Sequence, residues 1–481
     1  MQNSTIDYSR KWYVMTAVGM ALSLETLDTG IVNLALPTLV RTFNTDFATV
    51  QWVVLAFVLT QTALMLIMGR LGDMFGKKRI FIAGFIITAI GTVLCALAPG
   101  IGWLIAFRVV QALGVAMALA LSLGVTAEAF PPNERGMALG LVSSVVSVGI
   151  ILGPLLGGMI LESLSWRWIF LISLPMCVVG LPLAIAYLPD VRPQNSSRSF
   201  DYAGSFTFFI LLLAFLLATT YGRTLGLSDP RLLALIAITV VFLILFLTIE
   251  LRSAQPVMDL RLFRDRTFAV NILLRFLSFV VYVGLLLLLP FYYENVLGFT
   301  PRFSGMLLTV PSIAFGIVGV LSGMLSDRFG NRPVAVAGVI LLLIGAFSIN
   351  TLTATTSTLG NILRLLPLGA GMGIFQSPNN SMIFSVAPPD RIGVVSSLVS
   401  VIRTLARSAS IALLGAFWTS RVMVYHNGTA NNLSALERAT DASAAAQMAG
   451  MSDVFLLTVG VALLMLVLIL WEWRRVKATG Q

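Results

Sequence analysis

Gly69-Arg70-Leu71-Gly72-Asp73-Met74-Phe75-Gly76-Lys77-Lys78 is answered later in the chain by Gly323-Met324-Leu325-Ser326-Asp327-Arg328-Phe329-Gly330-Asn331-Arg332. Gly69, Leu71, Asp73, Phe75 and Gly76 recur as Gly323, Leu325, Asp327, Phe329 and Gly330 at a constant offset of 254, and Lys78 meets Arg332 with its charge kept. Arg108 and Arg364, then Arg135 and Arg391, extend the correspondence at an offset of 256. The chain therefore holds two related halves. In each copy, glycines permit a tight turn and close helix approach. The conserved-type acid can accept a hydrogen bond from a helix N-terminus or pair with a cation such as Arg135. Parallel halves of this kind mark one large transporter class.

Everything around the repeat reads as membrane protein. Of 481 residues, 58% are hydrophobic and only 11% charged, and the mean hydropathy is +0.94. Stretches of about 20 apolar residues recur from end to end. Fourteen spans are expected, at 12–36, 47–68, 79–98, 102–128, 135–161, 167–188, 202–222, 231–250, 267–290, 303–325, 333–352, 358–385, 393–418 and 453–473. The run after Arg10 and Lys11 is too long for a signal h-region and carries acids, so it reads as a retained first helix. The expected architecture is all-α and polytopic, with six helices in 1–188, a linker and two inserted helices in 189–266, and six more in 267–481 that include a long outer loop at 419–452.

An even number of spans puts both termini on one side. Of the 31 Lys and Arg, 19 fall on that side, 7 on the other, and five inside spans. The bias assigns both termini to the cytoplasm. It also accounts for the formal charge of +10 as topology, with no nucleic-acid partner implied. The loop 251–266 is basic and is expected at the membrane surface, and 189–200 reads as a polar linker. Cys95 and Cys177 lack partner spacing and imply neither disulfide nor metal site. The single histidine, His426, falls in the expected outer loop, so carboxylates must carry any proton through the membrane. The Asn427-Gly428-Thr429 sequon reads as chance.

The first span contains Leu24-Glu25-Thr26-Leu27-Asp28-Thr29-Gly30-Ile31-Val32-Asn33-Leu34-Ala35-Leu36-Pro37. A charge in the bilayer costs roughly 3 kcal/mol by insertion scales and asks for a function. Glu25 and Asp28 stand at i and i+3 on one helix face. Close carboxylates in a low dielectric resist double ionisation, which makes the pair a candidate proton carrier. Arg108 needs a carboxylate partner, and the first span supplies candidates.

These motifs resemble the major facilitator superfamily. The stretch 69–78 looks like its motif A. Leu104, Arg108, Gln111, Ala112 and Gly114 resemble motif B, with Ala112 where the family usually has Gly. Gly149, Gly153, Pro154, Gly157 and Gly158 fit motif C, the antiporter motif. The stretch 27–37 is similar to the first-helix motif of the fourteen-helix drug:proton antiporter branch (the QacA/EmrB-like group), with Gly30 where Thr is more usual. Trp166-Arg167-Trp168-Ile169-Phe170 and Phe200-Asp201-Tyr202-Ala203-Gly204 look like that branch too. The resemblance implies that Asp28 is the primary proton site, with Arg108 gating or tuning it and Glu25 a second site or substrate contact. It also implies that Gly153 and Pro154 bend their helix at the half-to-half interface, and that Asp73, Arg135, Asp327, Gly157 and Gly158 serve conformational gating.

Arg275, Arg364, Arg403 and Arg407 join Arg108 inside spans. Arg403 and Arg407 share a helix face and are cavity candidates. Arg275 and Arg364 lie nearer span ends, where snorkelling is the competing reading. Gln376, Asn379 and Asn380, beside Pro378, either line a cavity or cap a broken helix. Five arginines against two acids make the expected cavity net positive, which weakens the expectation of cationic cargo. The leading expectation is a proton-coupled exporter of amphiphilic small molecules in the cell inner membrane, with no cofactor beyond the coupling proton. Export of a specific anionic or zwitterionic metabolite, lipid or siderophore is the alternative, and a non-transporting sensor a third. A periplasmic adaptor is left open, and no catalytic constellation suggests an enzyme.

Overall fold

The computed structural model describes residues 8–45, 47–189, 201–221, 229–253, 256–388, 391–426 and 442–479. Among the described residues there are helices and no strand. Fourteen long elements follow one another: α1 (Lys11–Phe43), α2 (Phe47–Phe75), α3 (Lys77–Ala96), α4 (Ile101–Ala129), α5 (Arg135–Ser163), α6 (Trp168–Tyr187, in two pieces), α7 (Tyr202–Tyr221), α8 (Pro230–Arg252), α9 (Arg266–Phe291), α10 (Pro301–Phe329), α11 (Asn331–Asn350), α12 (Thr358–Ser385), α13 (Ile392–His426) and α14 (Ala444–Thr479). Each expected span coincides with one of them. Thirteen are long and apolar enough to cross a membrane, and the remaining one, α1, is the helix that carries Glu25 and Asp28.

The chain divides into two compact units. The first comprises Met1–Leu213, Leu245–Arg261 and Phe384–Val401, and the second Ala214–Ile244, Leu262–Ile383 and Ile402–Gln481.

In the first unit α3 lies against α4 through glycines. A Cβ on Gly84 would come within 2.9 Å of the Gly114 carbonyl oxygen, and one on Gly91 within 2.6 Å of Gln111 Cα. In the second unit α11 meets α12 in the same way: a Cβ on Gly338 would come within 2.5 Å of the Phe375 backbone nitrogen, and one on Gly345 within 2.5 Å of that of Leu368. Gly84 and Gly338, like Gly91 and Gly345, stand 254 residues apart. The repeat thus extends from the loop into the helix pair after it, where small residues let backbones approach. The loop itself shows why Gly76 and Gly330 recur. Their φ values are +97° and +89°, and open space surrounds both. Conformation selects glycine there, not crowding.

α12 is one continuous helix with Pro367 and Pro378 inside it. The reading of a break that Gln376, Asn379 and Asn380 would cap is therefore not realised. Pro378 lacks the N–H that would bond the Ile374 carbonyl. The Ser322 hydroxyl of α10 supplies the missing donor at 2.6 Å, so the carbonyl stays satisfied.

The connection expected at 419–452 is shorter than that. α13 continues to His426 and α14 starts at Ala444, so His426 ends a helix. Apolar patterning stops at Trp418, but side-chain ties carry the helices beyond it. Trp418 Nε1 donates to the Gln447 carbonyl at 3.4 Å, Arg421 Nε reaches Asp453 Oδ2 at 2.5 Å, and the Tyr425 hydroxyl reaches the same oxygen at 3.0 Å. The sequon and nearly all of the 189–200 linker lie outside the described residues.

Candidate functional site

Asp28 sits mid-way along α1 and is 1% exposed. Arg108, in the second turn of α4, is equally buried and clasps it through both terminal nitrogens. Nη1 donates to Oδ1 at 2.7 Å and Nη2 to Oδ2 at 2.8 Å. This fork geometry is the strongest form of a side-chain ion pair. The guanidinium is held from other directions as well. Its Nε donates to the Val53 carbonyl of α2 at 3.0 Å, and Nη1 also to Gln111 Oε1 at 2.7 Å. The Phe57 ring lies under it at 4.1 Å and Phe170 at 5.7 Å, distances at which an aromatic face attracts a cation. Gln111 in turn donates to Thr92 of α3 at 3.1 Å, and Cys95 approaches Gln111 Oε1 at 3.7 Å.

Arg108 is therefore fixed by α2, α3 and α4, whereas Asp28 arrives alone from α1. Neutralising the carboxylate would loosen α1 from a cation that keeps its other partners. Glu25, one turn earlier, is half-buried and has an interaction of its own.

The motif C glycines define how α1 is seated. A Cβ on Gly149 would fall 1.8 Å from Thr26 Oγ1, one on Gly153 3.1 Å from Gly30 Cα, and one on Gly157 3.2 Å from Ile31 Cα. The α5 stripe therefore lies along residues 26–31, flanking Asp28 on its own helix. Gly158 is half-buried on the neighbouring position of α5, and the Pro154 side chain lies outside the described residues. α5 itself runs as one helix.

At the end of α2, Asp73 is buried and accepts the N–H of Gly393 and of Val394 at 2.8 Å each, capping the first turn of α13. Lys77 stands 3.6 Å from Asp73 and 2.6 Å from Glu128. Arg135, the alternative partner, is exposed, because the helix terminus already occupies both oxygens of the carboxylate. The repeat mate Asp327 is exposed.

In the second unit, Arg275 is 2% exposed, so it does not snorkel. It donates to Asn380 Oδ1 at 2.5 Å, and the charge of Arg403 bears on it. Asn379 Nδ2 donates to both the carbonyl and the side-chain oxygen of Asn271 at 3.0 Å. Gln376 is buried with no partner for its Oε1 among the described residues. Arg403 is half-buried and Arg407 exposed, each with partners of its own. Arg364 lies at the start of α12, bonding Thr351 and the Gly360 carbonyl at 3.0 Å each, as an interfacial arginine does. The sequence did not reveal Val53, Phe57, Thr92, Cys95 or Phe170 as parts of the Arg108 site. Only Gln111 carried a signal, at i+3 from Arg108 on the same helix face.

Residues 18–411 match the family described as Major Facilitator Superfamily. The chain belongs to the Major Facilitator Superfamily. It is a multi-pass membrane transporter and not an enzyme. It is 33% identical to the "Riboflavin transporter RibZ" of Clostridioides difficile over 434 residues, covering 90% of this chain and 94% of that one. It is 31% identical to the "Multidrug resistance protein Stp" of Mycobacterium tuberculosis over 416 residues, covering 86% and 77%. Among solved structures, the human organic anion transporter MFSD10 (TETRAN) matches with a TM-score of 0.66 at 16% identity, covering 95% of this chain and 99% of that one. That likeness shows the fold alone.

Proposed function

We propose that this transporter is a proton-coupled antiporter of the fourteen-helix drug:proton branch, exporting amphiphilic small molecules across the plasma membrane with both termini cytoplasmic. The observation that carries this reading is the buried Asp28–Arg108 pair joining α1 to α4. A proton entering from outside neutralises Asp28, the two bonds from Arg108 weaken, and α1 is freed along the glycine stripe of α5 while the two halves rock to release substrate. Arg108 stays charged and acts by position. Asp73 and Lys77, holding the first turn of α13, form the gate that must open in the opposite phase, with Asp327, Arg135 and Glu25 in supporting roles. The coupling ion is the only cofactor.

The test is efflux from proteoliposomes with an imposed inward proton gradient. Wild type should accumulate substrate against its gradient, whereas Asp28→Asn should lose gradient-driven export and keep substrate binding. Export by Asp28→Asn at wild-type rate would overturn the assignment.

A second reading keeps the fold and mechanism but makes the cargo a specific anionic or zwitterionic metabolite. The relative named as a riboflavin transporter favours it. So does the second unit's polar set of Arg275, Arg403, Gln376, Asn379 and Asn380, which brings cations and amides together. A binding screen of matched cationic and anionic amphiphiles separates the two; binding of cations alone removes the second.

A further inference from the structure

Among the buried carboxyl groups that the proposed mechanism leaves unused, Glu250 stands out, and it lies in the inserted pair α7–α8. Glu250, in the last turn of α8, is 3% exposed. Its Oε1 accepts the N–H of Val257 at 3.2 Å and of Met258 at 3.4 Å, which ties the end of α8 to the segment that leads on to α9. Its Oε2 is buried with no hydrogen-bond partner among the described residues. Asp201, just before α7, is in the same condition. Oδ1 accepts the Gly204 N–H at 2.7 Å, while Oδ2 is buried and has no hydrogen-bond partner among the described residues.

The two carboxyl groups meet over Gly204. A Cβ there would lie 2.8 Å from Asp201 Oδ2 and 2.9 Å from Glu250 Oε1, so a larger residue would wedge them apart. Beside them is a cavity of about 350 Å³ lined by Asp201, Thr248, Ile249, Arg252 and Ser253. The charged groups facing Glu250 are Asp201 from α7 and Asp259 from the following segment. Asp259 is 3.8 Å from Arg391, and Arg252 lines the cavity together with Asp201.

Two like charges this close, each with an orphan oxygen, are a costly arrangement when both are ionised. One proton removes the cost. A protonated Glu250 Oε2 carries no charge while Oε1 keeps its two N–H groups, and the neighbouring Asp201 is left as the single carboxylate. A divalent cation is the poorer occupant, because Arg252 shares the cavity, Asp259 is engaged with Arg391, and among the described residues no group of three or more His, Cys, Asp or Glu is placed to hold a metal ion. We propose that Asp201 and Glu250 form a second proton-binding site, in which one proton is shared between the two carboxyl groups and holds the end of α8 against residues 257–258. The site is separate from Asp28 and stands whether or not Asp28 couples transport.

The test is infrared difference spectroscopy of the full-length protein in lipid nanodiscs during pH titration, read at the carboxylic-acid C=O band. A titrating band should persist in Asp28→Asn and be lost in both Glu250→Gln and Asp201→Asn. Gly204→Leu, which leaves both acids in place, should shift its midpoint. A titrating band unchanged in Glu250→Gln and Asp201→Asn overturns the proposal. Should the two charge variants fail to fold, an unshifted band in Gly204→Leu overturns it by itself. Stoichiometric uptake of Mn²⁺ that abolishes the band identifies a metal site and equally overturns it. Loss of the band in Asp28→Asn alone assigns the proton to α1 and refutes this site without touching the transport reading.

Discussion

Removing one member of the Asp28–Arg108 pair should cost far more than removing both. Arg108→Ala strips Asp28 of two charge-assisted bonds and leaves only a weak contact from Gln111 Nε2 at 3.5 Å. A buried carboxylate in that state costs about 3–5 kcal/mol relative to the pair. Asp28→Asn retains one acceptor for a guanidinium that still has Val53, Gln111 and Phe57, so its cost should fall near the lower end, about 3 kcal/mol. The double replacement Asp28→Leu with Arg108→Met leaves no buried charge. Apolar substitutes of similar volume for a whole buried pair are commonly neutral to within about 1–2 kcal/mol. The cycle therefore predicts a coupling energy of at least about 3 kcal/mol, at the top of the range for residues in contact. Equilibrium denaturation in mixed micelles, run on Asp28→Leu, Arg108→Met and the double variant, measures it. Single-variant losses that add to within about 0.5 kcal/mol would refute the reasoning, because they would mean that the two groups do not depend on each other.

Two further outcomes follow from the packing. Gly149→Ala drives a methyl group into Thr26 Oγ1 and should destabilise the fold by about 1–3 kcal/mol, whereas Gly460→Ala, with nothing within 4 Å in α14, should be neutral or stabilising; thermal melts of the two in one detergent check the contrast. Ser322→Ala should cost about 1–3 kcal/mol by leaving the Ile374 carbonyl unsatisfied, and adding Pro378→Ala should recover much of it by restoring the backbone donor, as the same denaturation measurement would show.

The span count was legible because membrane helices announce themselves by length and apolarity. The repeated loop was legible because a left-handed glycine, as at Gly76 and Gly330, cannot be replaced cheaply. Asp28 and Arg108 stood out because charge in an apolar run is expensive. What the sequence hid were the partners that carry no polarity of their own. Phe57 and Phe170 look like any lipid-facing aromatic until Arg108 is laid upon them. The length of α13 was hidden for a related reason: Arg421 and Tyr425 read as loop residues, and their bonds to Asp453 form only once α14 is alongside. Pro378 misled by suggesting a break, since the compensating hydroxyl comes from another helix 52 positions away in sequence.

The repeat is kept where it builds helices and lost where it bears charge. Gly84 and Gly91 answer Gly338 and Gly345 in both position and contact. Arg108 and Arg364 also correspond in sequence, yet one is sealed against a carboxylate and the other bonds a loop hydroxyl at a helix start. Asp73 is buried on two backbone N–H groups, and Asp327 is exposed. The buried cation of the second half, Arg275, has no counterpart at the repeat offset: position 21 is alanine. A duplicated scaffold of this kind needs its helix contacts twice but a charge site only once. Conservation of backbone-determined glycines together with divergence of the charged positions is what division of labour predicts. On the proposed mechanism the first half handles the proton at Asp28, and the amides and arginines of the second, Arg275 and Asn380 foremost, are left to meet the cargo.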